Sequence, residues 1–274
     1  MSRDSQKKIA VINDFCGFGR CSIAVSLPII SAMKIQCCPV PTSIFSNHTA
    51  FDEYFYTDYT THMDDYISQW EKLDLHFDGI LTGYLGSPTQ IDIVKRFIER
   101  FKSEDTTIVV DPVMGDDGLL YSAYSKELSQ KMCSLIPYAD ILTPNLTEAC
   151  ILTDTEYKRD MSVDELLTIC KTLCDMGPRA IVLSGLEKDG ILHNFIYNKG
   201  KPPTIISQKR VGPCRAGTGD VFSSIIAADT VNGLPLEDAV RHASDFISRA
   251  MKKTIEMGMP ETDGICFEEV LTQI

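Results

Sequence analysis

"DGILTGYLGSPTQIDIVKRFIERFKSEDTTIVVD", residues 78–111, decides the fold. Its apolar start, 78–83, reads as a strand, 88–102 carries a helical pattern, and 107–111 is a second β-rich run. A strand, a helix and a strand in succession form the unit of a parallel sheet. The same alternation extends in both directions. Strands are predicted at 8–13, 35–40, 139–143 and 180–184, and helices at 20–33, 61–75, 124–134, 145–153 and 162–176. Two further strands, 190–197 and 204–209, follow one another and predict a small antiparallel meander. Helices are predicted at 219–232 and 236–251, with a short one near 266–272. The expected fold is α/β, a doubly wound and mostly parallel sheet with flanking helices, in one domain over 1–274.

Composition narrows the function. The chain of 274 residues is 44% hydrophobic and carries a net charge of −12. That charge argues against nucleic acid and anionic membranes as partners. A polyanion would need local cations, either a metal or placed Lys and Arg. The N-terminal apolar run, Ile9 to Ile12, is too short for a signal peptide. No stretch approaches the ~20 apolar residues of a membrane span. A cytoplasmic protein is expected, with its ten cysteines as free thiols. None of them falls in a CxxC pair; most read as small buried residues, with zinc binding as the alternative.

In an open parallel sheet, ligands bind beyond the carboxyl ends of the strands. Asn13 and Asp14 follow the first predicted strand, and Tyr84 follows 78–83. Asp111 ends 107–111, Asn145 and Glu148 follow 139–143, and Ser184 ends 180–184. Polar groups at so many carboxyl ends predict one shared polar site. Asn47 and Asn145 both stand in N-x-[ST] tripeptides. Without a secretion signal, glycosylation fails as their reason, and ligand contact is an alternative.

The stretch "CRAGTGDVFSSIIAADTVNGL", 214–234, sharpens the chemistry. Gly217, Thr218 and Gly219 would present free N–H groups at the positive end of the following helix, an anion site. Asp220 would be repelled by an anion, so a general base is its better role. An ordinary first-turn helix charge is the competing reading. An anion hole beside a base suits phosphoryl transfer. There is no G-x-x-x-x-G-K-[ST] loop. The Rossmann glycine pattern also fails, because Ser22 stands where its third small residue belongs.

The strings "AGTGDVF" (216–222), "DPVMGDDG" (111–118), "LTGYLGS" (81–87), "FSNHT" (45–49) and "TPNLTEA" (143–149) resemble pyridoxal/pyridoxine/pyridoxamine kinases of the ribokinase superfamily. They run in the family's order across nearly the whole chain. The resemblance implies phosphorylation of the 5′-hydroxymethyl group of a B6 vitamer by ATP, with Mg²⁺ as cofactor and a monovalent cation left open. It implies Gly217, Thr218 and Gly219 as the anion hole and Asp220 as the base. Asp111, Asn145 and Glu148 would surround Mg-ATP, holding the ion directly or through water. Thr143 and Ser184 would lie beside the phosphates, with Asp116 and Tyr121 on a flap over them. Phe45, His48, Thr49 and Tyr84 would enclose the pyridine ring. Relatives are commonly homodimers, so a homodimer is expected. The related hydroxymethylpyrimidine kinases of thiamin synthesis, which usually carry Cys where this chain has Asp220, are the alternative, and a non-catalytic binding relative is another. Asp14 replaces a serine common in the family, and would accept a hydrogen bond from a pyridinium nitrogen or pair with a cationic substrate amine, with Mg²⁺ or solvent as the other place it could face. Arg215 reads as a phosphate clamp or a surface charge.

Overall fold

The computed structural model describes residues 5–121 and 124–274. The strands are β1 (Lys8–Phe18), β2 (Gln36–Asn47), β3 (Tyr56–Asp58), β4 (Gly79–Thr82), β5 (Thr107–Val110), β6 (Gly115–Asp116), β7 (Leu119–Leu120), β8 (Ile141–Leu142), β9 (Ala180–Lys188), β10 (Ile191–Asn198) and β11 (Thr204–Lys209). The helices are α1 (Ile23–Ala32), α2 (Thr60–Lys72), α3 (Pro88–Phe101), α4 (Lys126–Met132), α5 (Leu146–Leu152), α6 (Val163–Asp175), α7 (Thr218–Val231) and α8 (Leu236–Glu256). The predicted short C-terminal helix is a 3₁₀ segment, Phe267–Gln273.

Nine strands form one sheet in the order β11-β10-β9-β8-β5-β4-β1-β2-β3. The six central strands are parallel, and the edges add antiparallel pairs. The expected meander is present, and β3 adds an edge strand that the sequence did not announce. Apolar side chains of α2 to α6 pack on one face around Phe97, Ile80 and Leu183. Those of α1, α7 and α8 pack on the other around Ile9, Val109 and Phe246. Burial of both faces explains why the central strands read as continuous apolar runs.

β1 pairs with β2 on one side and β4 on the other, so the winding direction reverses at β1. A crevice opens at the carboxyl ends on either side of such a reversal. β1 and β4 pair only as far as Ile12 and Thr82, whereas β1 and β2 continue to Phe18 and Asn47. The register slips once, between Asn13 and Phe15, where β2 holds an extra residue. Such a bulge bends the strand and re-aims its side chains. Beyond it, Asp14 and Cys16 turn inward while Phe15 and Gly17 are exposed. α7 is buried continuously from Val221 to Asp229, as befits a helix covered all round.

Candidate active site

α7 begins without a side-chain cap. Its N-cap is Gly217, with φ 84°. A Cβ there would overlap the Arg20 carbonyl, so both conformation and contact demand glycine. The Thr218 hydroxyl donates to the Arg215 carbonyl at 3.0 Å and fastens the turn. Amides of a first turn lack acceptors within the helix. The space over Gly219 is open: a Cβ there would meet no atom within 4 Å. The turn thus offers N–H groups and a positive helix end to an approaching anion.

Asp220 lies one residue on, partly buried. Asn13 Nδ2 donates to its Oδ1 at 3.2 Å, and the Ser22 N–H also reaches its carboxylate. Burial still pushes its carboxyl above the ordinary range. Ser22 caps α1 with φ 58° and ψ −138°, a backbone state natural to glycine. The serine at the glycine position of the sequence pattern therefore does take a glycine-like conformation, which costs on the order of 1–3 kcal/mol. In exchange its amide faces Asp220 and its hydroxyl bonds Asp14. Asp14 is buried, and desolvation, aided by the charge of Asp220, raises it to about 7.

Beside these carboxylates stands an aromatic wall. Phe45 packs with Cys16, Cys21 and Tyr84. Its ring lies 6.2 Å from Tyr84, edge on, and 4.7 Å from Tyr56. Tyr84 in turn meets Tyr124 at 5.9 Å. Flat surfaces of this kind suit a planar heterocycle. His48 has both ring nitrogens engaged: Nε2 lies 2.7 Å from the Thr262 carbonyl and Nδ1 takes the Ala50 N–H at 3.3 Å. Its ring rests on Phe51, so it offers a face and no free polar edge. Thr49 is exposed in the adjoining turn.

The other half of the site gathers at β5, β8 and β9. Asp111 follows β5. Its carboxyl is raised well above the ordinary value by burial and by Glu148 and Asp220. Glu148 is raised to about 8, chiefly by burial. Asn145 and Glu148 form a capping box on α5: the Glu148 N–H donates to Asn145 Oδ1 at 2.9 Å and the Asn145 N–H to Glu148 Oε2 at 2.8 Å. Glu148 Oε1 accepts the Met114 N–H at 3.0 Å, and Asn145 Nδ2 donates to the Gly115 carbonyl at 2.7 Å. These bonds give Asn145 protein partners of its own, the cap of α5 and the tie to Gly115, beside the ligand contact offered as an alternative. Asn47 likewise has protein partners, Ser46 and the Glu53 carbonyl. The buried Thr143 hydroxyl lies 3.4 Å from the Val110 carbonyl, and Ser184 bridges to Asn145.

The flap is a hairpin of β6 and β7. Asp117 and Gly118, with φ 49° and 81°, make its turn, the residue pair that a tight hairpin prefers. Thr147 Oγ1 accepts the Gly118 N–H at 2.8 Å and ties the flap to α5. Asp116 is exposed on it. Tyr121 follows, its hydroxyl held protonated by burial and by Glu148, Asp116 and Asp111. Arg215 is neither a clamp nor a surface charge: it is buried, and its guanidinium donates to the Pro260 and Met259 carbonyls at 2.5 and 2.9 Å.

Among these donors Asp111 fits a divalent cation, as a partly buried carboxylate whose negative neighbours press for a positive charge. Glu148 and Asn145 already spend their oxygens on N–H groups, and among the described residues no three His, Cys, Asp or Glu side chains form a ready-made cage. That suits Mg²⁺, which binds through one or two carboxylates, water and substrate phosphates. Cys16 lies on the part of β1 beyond its predicted end, and alternation past Asn13 was the signal that could have found it; Cys21 follows in the loop after β1, and Tyr54 and Tyr56, whose rings meet Phe45, lie before and on the unannounced edge strand β3.

Residues 23–263 match the family model described as phosphomethylpyrimidine kinase. A Bacteroides thetaiotaomicron structure named for phosphomethylpyrimidine kinase and solved with pyridoxal is similar at TM-score 0.95 and 38% identity, covering 98% of this chain and 96% of that one. Pyridoxal kinase PdxY of Proteus mirabilis is 26% identical over 92% of this chain and 90% of its own length. The hydroxymethylpyrimidine/phosphomethylpyrimidine kinase of Haemophilus influenzae is 31% identical over 68% of this chain and 70% of its own. Among the described residues, no helix is long and apolar enough to cross a membrane.

Proposed function

Because this chain belongs to the phosphomethylpyrimidine kinase family, we propose that it transfers the γ-phosphoryl group of ATP to the 5′-hydroxymethyl group of pyridoxal, pyridoxine or pyridoxamine. It is an ATP-dependent small-molecule kinase. What supports the vitamer over the pyrimidine reading is the identity of residue 220, an Asp at the first turn of α7, in bonding distance of Asn13, where the pyrimidine kinases usually carry Cys. Asp220 takes the proton of the attacking hydroxyl, and its raised pKa favours that transfer. The amides of the turn receive the phosphoryl oxygens. Asp111 holds the cation that accompanies ATP, with Glu148 adding charge behind it and Thr143, Ser184, Asp116 and Tyr121 around the phosphates. Mg²⁺, when bound, would neutralise the phosphates beside Asp111 and Glu148. Asp14, at about 7, accepts a hydrogen bond from a pyridinium nitrogen or a substrate amine.

We read the whole chain as one kinase domain that pairs as a homodimer. The exposed aromatic edge of Phe15, Phe18, Tyr54, Phe55 and Tyr56 supports a second copy there. The competing substrate is hydroxymethylpyrimidine, whose kinases are among the relatives. Steady-state rates with Mg-ATP against the three vitamers and the pyrimidine alcohol decide between them. A kcat/KM higher for the pyrimidine than for every vitamer would overturn the proposal. Calorimetry with and without EDTA tests the cation: ATP affinity should drop when it is removed.

A further inference from the structure

Asn13 is 4% exposed and lies between the sheet and Asp220. Its Oδ1 accepts two backbone N–H groups, from Asp14 at 2.9 Å and from Tyr84 at 2.8 Å. Two donors converging on one atom determine which end of the amide is oxygen, because an NH₂ there would face donors with donors. The NH₂ end must then point the other way, and it donates to Asp220 Oδ1 at 3.2 Å. The loop after β4 leaves room for this: a Cβ at Gly83 would overlap the Asn13 side-chain amide. One buried amide thus joins β1, the chain leaving β4, and the first turn of α7.

We propose that Asn13 is a positioning residue for phosphoryl transfer, its NH₂ group holding the Asp220 carboxylate in one orientation beneath the Gly217–Gly219 turn. This rests on the reading of Asp220 as the base. The groups that share its surroundings are Asp14 and Cys16 from β1, Cys21 from the loop after it, and Asp111 from the end of β5. None of these is a cation, so hydrogen bonds, and not an ion pair, orient the carboxylate. The Ser22 amide reaches the same group from the α1 side. A carboxylate on a single rotatable bond would otherwise swing, and a misplacement of about 1 Å can cost 10²-fold in rate.

The test compares the wild type with Asn13→Asp, Asp220→Asn and the double variant, using the vitamer turned over fastest. Asn13→Asp keeps an oxygen for the Asp14 and Tyr84 amides but loses the donor to Asp220. A role confined to holding the loop would survive it. The expected result is a kcat lower by roughly 10–100-fold, with KM for ATP and vitamer within about threefold. The double variant, again one amide facing one carboxylate, should be folded and no slower than Asp220→Asn alone. A kcat for Asn13→Asp within about threefold of wild type, or a fully additive loss in the double variant, overturns the inference. Should Asn13→Asp not fold, Gly83→Ala displaces the same amide; an unchanged kcat there overturns it equally. If Asp220→Asn retains turnover, the base reading falls and takes this inference with it. If Asp220→Asn is inactive while Asn13→Asp is unimpaired, this inference falls alone.

Discussion

Two helices point their N-termini at the same edge of the sheet, and they are finished in opposite ways. α5 is closed by its own side chains, Asn145 and Glu148 exchanging bonds with each other's amides. α7 is closed by nothing but Gly217. A capped terminus has already engaged part of its amides with its own side chains. An uncapped one keeps donors and a dipole for a ligand. The difference teaches that a terminus open to an anion is left where the chain withholds a cap, and that the capped terminus beside it ties down the flap through Thr147.

The carboxylates repeat the contrast. Glu148 is buried but accepts N–H groups from Asn145 and Met114. Asp14 is buried with a hydroxyl from Ser22 and the N–H of its own residue, and faces the like charge of Asp220. Burial raises both, Glu148 to about 8 and Asp14 to about 7, so each costs stability when charged; they differ in their partners, backbone N–H groups of other residues for Glu148 and a side-chain hydroxyl with its own amide for Asp14.

The largest effect expected is at α7. Asp220→Asn should lower kcat by about 10²–10⁴-fold while leaving the fold and ATP binding intact. Turnover within a few-fold of wild type would remove Asp220 from the chemistry. Gly217→Ala should follow, because the added methyl meets the Arg20 carbonyl and the backbone is at positive φ. A loss of roughly tenfold or more in kcat/KM is expected, together with a lower Tm. Asn145→Ala gives the opposite outcome if α5 is scaffold. It should cost about 1–2 kcal/mol in urea unfolding through the lost cap. The loss in stability should then exceed any loss in kcat.

Asp14 adds a test by pH. Its carboxyl is raised from 3.8 to about 7 in the folded protein, so the folded state binds the proton more tightly than the unfolded one. The cost of its charge is absent below about pH 4 and fully present above about pH 7, so ligand-free stability falls as pH rises through that window. The full span corresponds to a few kcal/mol, on the order of 2–4. Asp14→Asn should flatten this part of the stability profile, measured by urea unfolding at intervals from pH 4 to 8. A slope equal to that of wild type would show that Asp14 does not titrate there.

Much of this site was legible in the chain order. Asp111, Asn145, Glu148 and Ser184 were read at strand carboxyl ends, and the structure sets them after β5, after β8 and on β9; the Gly217–Asp220 turn was read from its residues and does open α7. What escaped was the course of β1 and β2 past the sheet's centre. Their apolar runs stop near Asn13 and Val40, and beyond that the pattern is an alternation broken by glycine and by a bulge. Cys16 and Phe45 lie on those extensions, while Cys21 comes from the loop after β1 and Tyr56 from β3. The role of Asn145 also escaped, since a capping residue and a ligand contact look alike as a lone Asn.

By itself the sequence determined the parallel sheet, its two helical layers and the uncapped α7. These follow from local periodicity and from glycine, properties that act within a few residues. Tertiary structure decided which groups face one another. Asn13 and Asp220 are 207 residues apart, and Tyr84 meets Asn13 across 71. Arg215 found carbonyls 44 and 45 residues away in place of a phosphate. The physical reason is that a buried donor or acceptor must find a partner wherever packing brings one. No local pattern records which partner that is.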